Sequence, residues 1–219
     1  MTRVNNKFFD KNFWLSEAGF YYTKPYLRLE KCARLVNRLA RNSELELLDV
    51  GCGPATLAKF LNPNIHYYGI DIAIHTPGDN FQEVDITHQP IGFKDKKFDL
   101  VVATGLFEYM GAFQPQKLFE IQQILKKTGK FIVSFTNFNH INALTEYLPY
   151  NNTMSIADFQ KDVARYFQIE RMAPIFYNLK GTEPRRKWSY QIQKYVTFNL
   201  PVISAWFAVS YFFVCSPKV

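Results

Sequence analysis

The stretch that most constrains this chain runs from Leu45 to Leu61. Leu45-Glu46-Leu47-Leu48-Asp49-Val50 is an apolar run short enough for a buried strand. Gly51 and Gly53 follow, and Leu57, Ala58, Phe60 and Leu61 then recur at helical spacing. Strand, glycine turn and helix together open a nucleotide-binding α/β sheet. The glycines let a ligand approach the backbone where a Cβ would collide. A helix starting there would point its free N–H groups at that ligand. Three features argue against a dinucleotide. The third glycine of that fingerprint is replaced by Thr56, and Pro54 removes an N–H that a pyrophosphate would use. At 219 residues the chain is also too short for two mononucleotide halves plus a substrate domain.

Further on, Ile65-His66-Tyr67-Tyr68-Gly69-Ile70-Asp71 reads as a second strand ending in a carboxylate, 20 residues past Gly51. In a βαβ unit an acid at that distance meets a ribose, whose two hydroxyls its oxygens can accept from. Phe98 to Ala103 reads as a fourth, fully buried strand. Thr104-Gly105-Leu106-Phe107-Glu108-Tyr109-Met110 leaves its carboxyl end, where an open parallel sheet binds ligands.

Asp49-Val50-Gly51-Cys52-Gly53 resembles motif I of the class I S-adenosylmethionine-dependent methyltransferases, with Ala55 where that family often carries a third glycine. The resemblance implies a doubly wound, mostly parallel α/β sheet of seven strands in the order 3-2-1-4-5-7-6, the last antiparallel, with N-terminal lid helices. It implies S-adenosylmethionine as cofactor, held by Asp49, Gly51, Cys52 and Gly53 in the turn and by Asp71 and Ile72 after the second strand. It places Asp85 and Ile86 at the adenine and Thr104 and Gly105 beside the methionine part. Tyr21 and Tyr22, ahead of the first strand, become lid candidates. A lysine-rich turn with glycine before the fifth strand, Lys126-Lys127-Thr128-Gly129, is similar to the family's.

Catalytic candidates come from the loops at the same sheet edge. Glu108 is a general-base candidate and Tyr109 beside it could face the substrate. His140, in the polar loop Thr136-Asn137-Phe138-Asn139-His140, could take a proton near neutral pH. No set of side chains has the spacing of a metal site. Cys32, Cys52 and Cys215 lie far apart and without CxxC spacing, which fits a reducing cytoplasm. The aromatic residues near the N-terminus are interrupted by Lys and Asp, so no signal peptide is read there.

The remaining elements follow from periodicity and caps. Tyr26 to Ala40 reads as a helix with Leu27, Cys32, Leu35, Val36 and Leu39 on its apolar face and a basic face opposite. Phe81 to Val84 reads as a third strand and Lys130 to Phe135 as a fifth. Gln114 to Leu125 reads as an amphipathic helix ended by the lysine–glycine turn. A further helix runs over Ser155–Phe167 with Ser155 as N-cap. Ile169 to Tyr177 reads as a sixth strand and Arg185 to Lys194 as a helix. Val196 to Cys215 carries no formal charge. Its length admits a membrane span, but Asn199 and Pro201 interrupt it, and Tyr211 to Lys218 matches a closing antiparallel strand.

The expected organisation is one domain over 1–219, with an N-terminal lid segment 1–43, a cofactor-binding core 44–135 and a substrate-side, sheet-closing part 136–219. The expected activity is transfer of a methyl group to a small-molecule acceptor by in-line displacement, through an O or N nucleophile of apolar or aromatic character. Aromatic residues make up 17% of the chain, which suits such a pocket and equally suits an aromatic core. The net charge of +7 keeps an RNA or protein acceptor open as an alternative. Nucleic acid is not the expected partner, because no base-amine methylation motif follows the fourth strand and no RNA-binding module is appended. A non-catalytic S-adenosylmethionine-binding protein is the other alternative. Peripheral membrane contact through the C-terminal apolar stretch and the oligomeric state both stay open.

Overall fold

The computed structural model describes residues 10–16, 26–41, 43–75, 78–93, 95–139, 150–177 and 207–218. Tyr21, Tyr22, His140 and the expected helix over 185–194 lie outside them. In chain order the elements are α1 (Lys11–Leu15), α2 (Tyr26–Ala40), β1 (Leu45–Val50), a 3-10 turn (Thr56–Phe60), β2 (Ile65–Asp71) and β3 (Phe81–Glu83). There follow β4 (Phe98–Ala103), α3 (Phe107–Met110), a second 3-10 turn (Gly111–Phe113), α4 (Gln114–Ile124), β5 (Leu125–Thr136), α5 (Ile156–Tyr166), β6 (Phe167–Tyr177) and β7 (Ala208–Pro217).

The seven strands form one sheet in the expected order, β3-β2-β1-β4-β5-β7-β6. The pairs among β3, β2, β1, β4 and β5 are parallel, and β7 runs antiparallel to both β5 and β6. Side chains alternate across the pleat. Leu47, Leu100, Val102 and Ile132 join one apolar layer with Cys32, Ala33 and Val36 of α2. Val101, Ala103, Phe131 and Val133 join the opposite layer, with Leu118 and Ile121 of α4 and Phe159 and Val163 of α5. Phe135 and Phe159 stack there at 4.0 Å between centroids. Two-sided burial is why the strands read as continuous apolar runs.

Three expectations need correction. The segment after β1 is a five-residue 3-10 turn and not an α-helix. Its end is drawn back by Asn37 of α2, whose side chain donates to Phe60 O and accepts from Asn62 N–H, each at 3.0 Å. Pro63 also disfavours helical backbone at Asn62. Second, Lys126 to Gly129 does not end a helix. The helix stops at Ile124, and β5 already pairs at Leu125 with Phe98 before a register shift to Lys130 opposite Leu100. Lys126 Nζ bonds Asp99 at 2.9 Å across that irregularity. Third, Leu39 is 39% exposed, because α2 turns Leu29, Cys32, Ala33, Val36 and Ala40 inward instead.

The other caps follow the sequence. Ser155 Oγ accepts from Asp158 N–H at the start of α5, at 3.1 Å. β7 takes residues 208–215 of the uncharged stretch into the sheet, between β5 and β6. Among the described residues no helix is long and apolar enough to cross a membrane.

Ala55 sits at φ 53°, ψ 34°, the left-handed region where a Cβ is strained. Ala55→Gly should therefore raise stability by about 0.5–1 kcal/mol, the left-handed strain less the added unfolded-state freedom of glycine. Urea unfolding checks this through a higher midpoint at unchanged m.

Candidate active site

The turn after β1 is fixed to the end of β2. Gly51 N–H and Cys52 N–H both donate to Ile70 O, at 2.8 and 3.1 Å. Gly53 N–H donates to Asp71 Oδ2 at 2.8 Å, and Ala73 N–H donates to Asp71 Oδ1 at 3.1 Å. Gly51 has φ +78°, and a Cβ there would lie 3.0 Å from Leu106. An open cleft of about 180 Å³ lies over this turn at the carboxyl ends of β1, β2 and β4. Gly51, Cys52, Gly53, Asp71 and Ile72 line it, and so do Asp49, Asp85, Ile86, Thr104 and Gly105. All ten expected cofactor residues that lie among the described residues thus share one cavity.

The acids in it differ in their surroundings. Asp71 is raised above the usual carboxylate range by burial, against the Gly53 and Ala73 amide donors and the nearby His75. Each of its oxygens has one amide donor and keeps capacity for another. Asp49 is 2% exposed. Burial pushes its pKa up to about 7; Asp71 adds to the rise, while the Tyr67 hydroxyl, donating at 2.7 Å, and Arg28 oppose it. At Asp85, burial works upward, but donors from Thr87 and His88 outweigh it and leave the group below its ordinary value. Asp85 Oδ1 accepts from both Thr87 N–H and Thr87 Oγ1, at 3.0 and 2.6 Å, and Oδ2 lies 2.8 Å from His88 Nδ1. The Cys52 thiol is pushed far up by burial and the two neighbouring acids, so it stays protonated.

Three further residues of the cleft stand out, and of these Arg28 was given no site role by the sequence. Arg28 of α2 lies against Gly105, which has φ +71°; a Cβ there would stand 2.5 Å from Arg28 Nη1. Helical spacing held the signal, since Arg28, Cys32, Leu35 and Val36 fall on one face and Arg28 therefore belongs to the apolar side. Trp14 of α1 and Tyr150 line the mouth. Trp14 belongs to the expected lid segment 1–43 and Tyr150 to the expected substrate-side part 136–219.

Tyr109 lines the cleft, but Glu108 does not. The Glu108 side chain is 2% exposed, and its Oε1 accepts from Thr136 Oγ1 at 2.8 Å. Its main-chain carbonyl accepts from Asn151 and Asn152 N–H, at 3.0 and 2.9 Å. That placement corrects the expectation that Glu108 faces the substrate: it sits behind the cleft wall and ties residues 151–152 to α3. Burial raises its pKa, with Thr136 and Arg28 opposing. Among the described residues no group of three or more side chains could hold a metal ion.

The buried side-chain polar atoms without a hydrogen-bond partner among the described residues are Arg28 Nε, Asp49 Oδ1 and Glu108 Oε2. Arg28 and Asp49 line the cleft, Glu108 lies behind its wall, and Arg28 acts electrostatically on both carboxyls. Buried unpaired groups of this kind are costly. A ligand bearing one anionic and one ammonium group complements them.

The profile of the methyltransferase domain family matches residues 25–177. The chain belongs to that family and has the class I S-adenosylmethionine-dependent methyltransferase fold. Solved structures agree on the fold. A putative methyltransferase in complex with the Trm112 activator of Haloferax volcanii superposes with a TM-score of 0.67, at 16% identity, over 100% of both chains. The plantazolicin methyltransferase BpumL, solved with a pentazolic substrate analogue and S-adenosylhomocysteine, gives 0.65 at 13% identity over 99% of this chain and 95% of that one. A TehB-like S-adenosylmethionine-dependent methyltransferase from Corynebacterium glutamicum gives 0.55 at 16% identity, over 86% of this chain and 88% of that one. No curated protein matches the chain.

Asp49 makes the ligand-free protein pH-dependent. Its folded pKa of about 7 stands above the ordinary 3.8. Between these values the folded state holds a proton that the unfolded state has lost, so stability falls as pH rises from about 4 to 7, by up to ~1.4 kcal/mol per pH unit. Asp49→Asn should flatten this slope, measured by urea unfolding at pH 5 and pH 7.5.

Proposed function

We propose that this protein transfers a methyl group from S-adenosylmethionine to a small-molecule acceptor of apolar or aromatic character through an oxygen or nitrogen nucleophile. The observation carrying the cofactor assignment is the pair of buried atoms in the cleft, Arg28 Nε and Asp49 Oδ1, that have no hydrogen-bond partner among the described residues. An amino-acid end fits it, with Arg28 for the carboxylate and Asp49 for the ammonium. Asp71 has the capacity left to accept from ribose hydroxyls, and Ile86 offers an apolar wall to the adenine beside Asp85. When bound, the cofactor supplies a methyl group already activated by its sulfonium. The chain's part is to hold the two reactants in line and exclude water. Thr104 and Gly105 flank the reacting end, and Tyr109 stands on the acceptor side. His140 is the proposed proton acceptor where the nucleophile arrives protonated. Three free, buried cysteines fit a reducing cytoplasm.

A macromolecular acceptor is the second reading, favoured by the net charge of +7. RNA binding that weakens steeply with salt would support it over the small-molecule reading. A chain that binds the donor yet never yields S-adenosylhomocysteine would be a binding protein instead.

Calorimetry with S-adenosylhomocysteine tests the assignments. Asp71→Asn should weaken binding by about 1.5–3 kcal/mol, the range for a hydrogen bond to a charged group. Arg28→Met should weaken it by a similar ~1.5–3 kcal/mol, yet leave 5′-methylthioadenosine, which lacks the amino-acid end, unaffected. Equal losses for both ligands would remove Arg28 from the carboxylate.

A further inference from the structure

Asp49 lines the cleft, but the side chain that holds it does not. The Tyr67 hydroxyl donates to Asp49 Oδ2 at 2.7 Å, while Asp49 Oδ1 is buried with no hydrogen-bond partner among the described residues. Strand register explains the reach. Leu47 of β1 and Tyr67 of β2 both join the apolar layer under α2. Side chains alternate along a strand, so Asp49, Gly69 and Asp71 turn to that same side. Asp49 pairs with Gly69, which has no side chain to stand between Asp49 and Tyr67. Cys52 and Phe81 take the room beside Gly69: a Cβ there would lie 2.7 Å from Cys52 Sγ and 2.8 Å from Phe81 Cδ1. The Phe81 ring also meets the Tyr67 ring at 6.0 Å and 51°, which braces the phenol.

The bond runs in one direction. Burial, with Asp49 and Cys52 adding to it, raises the Tyr67 hydroxyl well above its ordinary value, so the phenol keeps its proton and donates. A donor to one oxygen favours the Asp49 carboxylate over the neutral acid. The other groups around Asp49 divide. Arg28 of α2 also favours the charge, and Asp71 at the end of β2 opposes it. Cys32 of α2 and Cys52 of the turn are buried thiols that stay protonated. On β4 the register partner is Val102, which carries no charge. Of these groups, Tyr67 is the one hydrogen-bonded to the Asp49 side chain among the described residues.

We propose that Tyr67 is a positioning residue for the cofactor's amino-acid end: by holding Asp49 Oδ2 it leaves Oδ1 as the acceptor for the ligand's ammonium group. This inference rests on the cofactor reading above and deepens it. Docking of the ammonium requires the Asp49 carboxylate, so below neutral pH a proton leaves Asp49 as the ligand binds. The Asp49 pKa of about 7 in the free protein makes recognition of the ammonium strengthen as pH rises toward and through neutrality. Loss of the Tyr67 hydroxyl removes a donor that favours the carboxylate and moves this rise to higher pH.

The test is the ratio of affinities for S-adenosylhomocysteine and 5′-methylthioadenosine, measured by calorimetry on the full chain from about pH 5.5 to 8. Only the first ligand carries the ammonium, and both carry the ribose assigned to Asp71, so the ratio isolates the amino-acid end. In the unaltered chain the ratio should rise with pH. Tyr67→Phe, which keeps the ring, should displace the rise upward by about one pH unit, which is about a tenfold lower ratio at fixed pH below the midpoint. Its affinity for 5′-methylthioadenosine should be unchanged. The ligand's own ammonium titrates alike with both proteins, so the displacement belongs to the chain. In Asp49→Asn the ratio should be flat, and adding Tyr67→Phe should change it no further. A Tyr67→Phe profile that superimposes on the unaltered one would overturn the inference. Equal losses for both ligands would do the same, because they mark a merely structural role. A flat ratio in the unaltered chain would also overturn it, and that measurement stands even if Tyr67→Phe fails to fold. All three outcomes leave binding of S-adenosylhomocysteine, and with it the cofactor reading, in place. A folded chain that binds neither ligand defeats the cofactor reading and the role of Tyr67 together.

Discussion

The site depends on how one turn is fixed to one strand end. Gly51 and Cys52 donate to the same Ile70 carbonyl, and Gly53 donates to Asp71. Three successive amides therefore hold the chain leaving β1 against the carboxyl end of β2. The positive φ at Gly51 and Gly53 makes this path possible, and Ala55 follows it at a cost in strain. Asp71 has two tasks in consequence: it braces the turn and keeps lone pairs toward the cleft. The carboxylate expected at the ribose is held in place by the glycine motif it serves.

Around that frame the charge is poorly compensated in the ligand-free protein. Asp49 is buried and Asp71 half-buried, both are raised, and Arg28 lies over Gly105 with its Nε unpaired among the described residues. An apolar core would not tolerate this arrangement without return. A cleft that exchanges its unsatisfied groups for those of a zwitterionic, cationic ligand would recover the cost on binding. Strain and unpaired charge concentrate here while the rest of the sheet is conventionally packed, as expected where a fold gives up stability for a site.

Much of this was legible in the sequence because the strands are buried on both faces. Val101, Val102, Phe131 and Ile132 can only read as strands of a covered sheet, and the glycine turn fixes which strand comes first. The spacing from Gly51 to Asp71 carried over directly into the cleft. Legibility failed where tertiary contacts outvoted local signals. Leu57 to Leu61 has helical periodicity, yet Asn37 and Pro63 cut it to a 3-10 turn. Lys126 to Gly129 has the composition of a helix end, yet strand pairing begins at Leu125. Arg28 could have been found from its helical phase. Trp14 and Tyr150 fall in the expected lid and substrate-side segments, but which side chain of each segment reaches the cleft is decided only by folding.

The most direct measurement is a crystal structure with S-adenosylhomocysteine. The account predicts the ribose hydroxyls on Asp71, the adenine against Ile86 and the amino-acid end between Arg28 and Asp49, with the sulfur facing Tyr109. A ligand lying in the reverse direction, or outside the turn between Gly51 and Gly53, would contradict it.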